Sequence, residues 1–231
     1  MVSIALAVVL LFAGGCTGRH STKEALFNEG MKQLEANNPG SAIIFFKNAL
    51  ERDQNYFDAR FQLAKAYSVI GKYDAAEKEF QKVLRQRPTS HEAQIEIARV
   101  HAYGGKPDEA LKEIAGLGVS GRNDVEAVEI AGWAHAAKGN YNTAVELLKK
   151  VMTAEPGRST AVLMLSKVYV LTGSTQEARA LIDELLKNEP TNKDALYLLA
   201  AIQVRERDLA SAINTYDRLI RSAPSDSVAV F

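Results

Sequence analysis

"FDARFQLAKAYSVIGKYDAAEKEFQKVLRQRPTS", residues 57–90, is the stretch on which the reading of the fold turns. Gly71 splits it and Pro88 closes it, so it reads as two helices joined by a tight turn. Stepping from Phe57 by 34 residues in both directions meets the same pattern, with units beginning at Lys23, Phe57, His91, Val125, Ser159 and Lys193. With the first residue of each unit as phase 1, phase 20 is Ala42, Ala76, Ala110, Ala144, Ala178 and Ala212. Phase 8 is always small (Gly30, Ala64, Ala98, Gly132, Ser166, Ala200), and phase 24 always large (Phe46, Phe80, Ile114, Leu148, Ile182, Tyr216).

The prolines check the period independently. Pro88, Pro156, Pro190 and Pro224 fall at phase 32, Pro39 and Pro107 at phase 17, so all six occupy two phases. Proline suits a helix start or the stretch beyond a helix end and disrupts the interior. Two helices per unit follow, A over about phases 2–14 and B over about 17–30. Gly71, Gly105, Gly139 and Gly173 stand between them at phase 15, where glycine takes a positive φ cheaply. Small residues at phases 8 and 20 let A and B approach closely. One such hairpin cannot bury its apolar face alone, so the expected fold is an all-α solenoid of about six stacked repeats, residues 23–226.

Leu63, Ala64, Tyr67, Gly71, Tyr73, Ala76, Phe80 and Pro88 stand at the signature spacing of the tetratricopeptide repeat, which residues 23–226 resemble throughout (23–56, 57–90, 91–124, 125–158, 159–192, 193–226). The resemblance implies a right-handed superhelix with the A helices lining a concave groove. Two breaks interrupt the beat. "IAGLGVSGRND" closes the third unit with Gly116, Gly118 and Gly121, and predicts a shortened B helix and a looser joint between units three and four. "SVAVF", residues 227–231, reads as the start of a seventh, truncated repeat, the expectation being a piece of a longer array. At the other end "STKE", Ser21 to Glu24, has capping-box spacing and is expected to start the first helix.

The resemblance places groove-facing residues near phases 2, 5, 9, 12 and 13. Phase 5 supplies Phe27, Phe61, Ile95, Leu163 and Tyr197, phase 9 Lys65, Arg99, Trp133 and Lys167, and phase 13 Tyr103. These ten are the candidate partner-binding residues, with Trp133 the leading exposed anchor. The alternative for each aromatic is the core, where a 3.6-residue apolar stripe usually belongs. Glu24, Asp58, Glu92, Glu126 and Asp194 at phase 2 give the groove an acidic margin. Members that bind chaperone C-termini carry Lys and Asn at phases 5 and 9; mainly apolar residues here point instead to an amphipathic helix or extended apolar peptide.

The front of the chain follows a different logic. "IALAVVLLFA", residues 4–13, is apolar throughout, yet ten helical residues rise only about 15 Å, about half a bilayer core. That is the length of a signal-peptide hydrophobic segment, residues 1–15. Ala13, Gly14 and Gly15 lead into Cys16, the sole cysteine, an arrangement that resembles the lipobox of bacterial lipoproteins. The resemblance implies lipid on Cys16, and Thr17 after it favours the outer membrane. The alternative is ordinary cleavage near Gly15 with a free thiol. Residues 16–22 would be attachment site and tether; the four from Thr17 to His20 span at most about 14 Å, holding the array against the membrane.

Lys plus Arg and Asp plus Glu are 28 each, without the basic excess typical of nucleic-acid binding. One cysteine cannot close an internal disulfide. His101 and His135 share phase 11 with Tyr67 and Tyr169 and read as replacements for tyrosine rather than metal ligands. No nucleophile elbow or phosphate-cradling loop appears, so neither an enzyme nor a cofactor site is expected. The expectation is a lipid-anchored scaffold in the bacterial cell envelope, on the periplasmic face of the outer membrane, binding a protein or peptide. "SAIIFFKNALERDQNYFDARFQLAKAYSVIGKYDAAEKEF" resembles the tetratricopeptide lipoproteins of exosortase/PEP-CTERM systems, which accompany exopolysaccharide export. Lipoproteins of type IV pilus assembly are one alternative; a regulatory or polysaccharide-binding array of a larger protein, using Trp133, Tyr103 and Tyr197, is another.

Overall fold

The computed structural model describes residues 21–222. The leader, Cys16, its tether to His20 and the stretch from Ser227 to Phe231 lie outside the described residues. Within them are thirteen helices: α1 (Lys23–Glu35), α2 (Pro39–Arg52), α3 (Phe57–Val69), α4 (Tyr73–Gln86), α5 (His91–Tyr103), α6 (Pro107–Gly116), α7 (Val119–Arg122), α8 (Val125–Ala137), α9 (Tyr141–Ala154), α10 (Ser159–Thr172), α11 (Thr175–Asn188), α12 (Lys193–Arg205) and α13 (Leu209–Ser222). The A helices are α1, α3, α5, α8, α10 and α12. Each packs on its own B helix, and each B helix on the next A helix, which makes a solenoid of helical hairpins.

The repeating residues do the packing that their size dictates. Ala42, Ala76, Ala110, Ala144 and Ala178 are fully buried, as are Phe46, Phe80, Leu148 and Ile182 at phase 24. Burying each of these large side chains contributes about 1.5–3 kcal/mol. A Cβ on Gly30 would sit 2.5 Å from the Phe46 ring, which accounts for a glycine inside α1. Phase 3 forms a further row of alanines. Ala59, Ala93, Ala127, Ala161 and Ala195, at phase 3, are all fully buried, whereas Ala25 on α1 is exposed because no helix precedes it among the described residues.

The turn between A and B is left-handed in every unit. Gly71, Gly105, Gly139 and Gly173 have φ of 72°, 77°, 78° and 87°. The first and last units reach the same region with Asn37 (φ 54°) and Arg207 (φ 63°). Asparagine tolerates it; arginine carries a steric penalty of about 1–2 kcal/mol there. Arg207→Gly is therefore expected to raise stability by about 0.5–1 kcal/mol in urea unfolding, after allowing for glycine's greater freedom in the unfolded chain.

Helix starts depart from expectation at one point. The N-cap of α1 is Thr22, whose hydroxyl accepts from the Ala25 amide at 3.1 Å, not Ser21. The third unit shortens as its glycines predict: α6 has 10 residues where the other B helices have 14. Leu117 then runs extended into the four-residue α7. The joint is not loose, however. Leu117 folds back into the core, and one apolar cluster joins Ile95, Ile114 and Leu117 to Ala127, Ile130 and Ala131 of the fourth unit.

Candidate partner-binding groove

Helices α3, α5, α8, α10 and α12 pack side by side and form the inner wall. Their side chains sort by phase more sharply than sequence spacing implied. Phe61, Ile95 and Leu163 are buried, at 5%, 4% and 7% exposure, so the expectation that they line the groove is corrected. Each closes the seam with the following A helix: Phe61 clusters with Ala93 and Ile97, Ile95 with Ala127 and Ile130, and Leu163 with Leu196 and Leu199. Phe27 is half-buried, its ring centroid 5.8 Å from Phe46 and 5.4 Å from Tyr56. Tyr197 stays 40% exposed because α12 has no following A helix among the described residues.

In the fourth unit phase 5 is Glu129, and its carboxylate lies buried in the same seam. Arg158, just before α10, grips one oxygen through Nε at 2.9 Å and a terminal nitrogen at 2.8 Å, and the Thr160 hydroxyl donates to the other. Burial by itself would lower the Arg158 pKa, but hydrogen bonds to Glu129 and Glu155 hold it above the ordinary arginine value. Sequence spacing missed this pair because Arg158 lies in a loop at phase 34. The signal available was a lone acid in an otherwise apolar row.

The phase-9 cations are mostly engaged within the protein. Arg99 pairs with Glu96 at 3.3 Å and Glu126 at 3.0 Å, and Lys65 lies 4.0 Å from Glu96 and 5.7 Å from the Phe61 ring centre. With Arg158 also reaching Glu126 at 3.8 Å, an ion-pair chain crosses units two to four. The acidic margin is thus partly spent on neighbouring cations. His101 is buried, with Nε2 3.4 Å from Glu77. Burial opposes ionisation of Glu77, yet hydrogen bonds from Lys106 and His101 hold its carboxyl below the usual value.

Beyond this chain the wall opens into a cleft of about 330 Å³. Trp133, Ala136 and Ala137 of α8 form one side, Lys167, Val168, Val170 and Leu171 of α10 the other, and Leu198 of α12 its end. Trp133 is half-buried, and its Nε1 donates to the Ala102 carbonyl at 3.3 Å. The exposed Tyr103 ring leans on it at 5.9 Å between centroids. Trp133 is therefore held in place and still lines open space. Leu171 is 64% exposed at the rim. Of the ten candidates, the structure brings Trp133, Lys167 and Tyr103 together, and separates them from Phe27, Phe61, Ile95 and Leu163.

The tetratricopeptide repeat family model matches residues 33–88, 71–129, 135–191 and 173–230. The chain belongs to the tetratricopeptide repeat family. A tetratricopeptide repeat protein from Parabacteroides merdae has a similar structure, with TM-score 0.77 at 15% identity over 90% of this chain and 81% of that one. PilW, a widely conserved type IV pilus biogenesis factor, has TM-score 0.66 at 19% identity, covering 89% of this chain and 95% of its own. PilF of Pseudomonas aeruginosa has TM-score 0.59 at 18% identity over 92% of this chain and 96% of its own. These identities establish the likeness of fold. No curated protein matches the sequence. Tetratricopeptide arrays are typically non-catalytic scaffolds for protein interaction, and the inner wall of this array offers the surface for it.

Proposed function

We propose that this tetratricopeptide protein is a lipid-anchored scaffold of the bacterial envelope that holds a peptide segment of a partner against its inner wall during assembly, export or secretion. The observation that carries the reading is the open apolar cleft between α8, α10 and α12, with the braced Trp133 at its side. Apolar pockets that take one or two large side chains supply most of the affinity in peptide recognition. Anchoring rests on the sequence alone, on the apolar segment that ends at Cys16. Resemblance of residues 41–80 to the exosortase/PEP-CTERM lipoproteins favours exopolysaccharide-linked export as the setting. Type IV pilus assembly is the second reading, favoured by the likeness in fold to PilW and PilF.

Both halves of the proposal can be tested in cells of the source organism. Cys16→Ala is expected to move the protein from the membrane to the soluble fraction and to remove acyl mass from the N-terminal peptide. Leu171→Glu is expected to leave the membrane fraction unchanged and abolish recovery of the cross-linked partner. Unchanged fractionation of Cys16→Ala would reject the anchor; unchanged cross-linking of Leu171→Glu would reject the cleft.

A further inference from the structure

The wall changes character along its length, and the change says what chemistry the cleft accepts. Through units two to four its cations are matched: Lys65 with Glu96, Arg99 with Glu96 and Glu126, Arg158 with Glu126, Glu129 and Glu155. Incoming acids would have to displace those internal partners. At the cleft the balance is different. Lys167 is exposed on its border and has no acidic partner among the described residues. Arg205, exposed on α12, reaches over to donate to the Val170 carbonyl at 3.0 Å. Among the described residues no acidic side chain lines the cleft. The result is an apolar floor beneath a cationic rim.

We propose that this end of the groove selects peptide segments that place a large apolar side chain in the cleft and an Asp or Glu within four residues of it. The inference rests on the reading of the inner wall as a peptide site and narrows it to a ligand chemistry. Covering Lys167 with a neutral ligand would strip water from an ammonium group and give nothing back, while a basic ligand would be repelled. A carboxylate beside the apolar anchor restores the lost hydration with a charge-assisted hydrogen bond. Trp133 and Tyr103 already support one another, so little side-chain freedom is lost when the cleft fills.

Trp133 is the only tryptophan, so its emission reports occupancy of the cleft directly. Random 12-residue peptides displayed on phage would be selected on the whole mature chain and on its Lys167→Glu and Leu171→Glu variants. Selected peptides would then be synthesised and titrated while following Trp133 emission. The expected result is enrichment of Leu, Met or Phe with Asp or Glu within four residues. Lys167→Glu should weaken those peptides about tenfold and turn selection towards Lys and Arg, and Leu171→Glu should abolish binding with helical content and melting unchanged. Peptides that perturb Trp133 but lack the acid, or bind Lys167→Glu equally well, overturn the ligand chemistry and leave the peptide site standing. Peptides that bind without perturbing Trp133 and survive Leu171→Glu overturn the cleft itself. Failure to select any peptide, with dodecanoate alone quenching Trp133, overturns both in favour of an acyl-chain site.

Discussion

Arg158→Ala is expected to destabilise the array by about 3 kcal/mol, because it leaves a carboxylate buried without a counter-charge. The Glu129 side chain is 2% exposed, and among the described residues Arg158 is its only cationic partner. Thr160 would remain as a donor, which places the loss at the lower end of the usual range for a broken buried pair. The pair itself need not stabilise the fold, since removing two charges from water costs about as much as their attraction returns. The double variant Glu129→Leu with Arg158→Met is therefore expected to recover most of the loss, to within about 1 kcal/mol of the parent. Urea unfolding of the parent, both single variants and the double variant closes the cycle. A single-variant loss below about 1 kcal/mol would mean that Glu129 does not depend on Arg158.

Phe61→Ser and Tyr197→Ser are expected to behave oppositely, although both residues stand at phase 5. The Phe61 ring is buried edge-on against Phe80, with centroids 5.5 Å apart, and seals units two and three. Removing it leaves a cavity and puts a hydroxyl in its place, at a cost of about 3–5 kcal/mol. Tyr197 lies on the last A helix of the described residues, where its ring is 40% exposed, and its loss should change stability by less than about 0.5 kcal/mol. Thermal melting of the two single variants decides the matter. A Phe61→Ser variant that melts with the parent would restore Phe61 to the groove.

That contrast shows where sequence periodicity stops being informative. Phase 5 is large and apolar in every unit but the fourth, yet its members from the second unit onward are buried only where another A helix follows. Phe61, Ile95 and Leu163 have such a neighbour, and Tyr197 has none among the described residues. Likewise Lys65 and Lys167 share phase 9, yet Glu96 stands beside the first and, among the described residues, nothing acidic beside the second. The Trp133 side of the cleft was foreseeable, because the fourth unit already has its small and large core residues at other phases. Leu198, at phase 6, was not, because it enters the cleft from the neighbouring helix across a gap that no single helical period describes.

The sequence by itself determined the hairpin, its 34-residue repeat, the alternation of A and B helices and the early end of the third B helix at Gly116. These are local matters: proline and glycine act on their own backbone, and small and large residues at fixed spacing dictate which face is buried. Only the tertiary structure decided which wall residues are free to meet a partner. Burial and charge pairing at the seam depend on residues about 30 positions apart, such as Glu129 and Arg158 or Trp133 and Ala102, and stacking of successive hairpins alone brings those together.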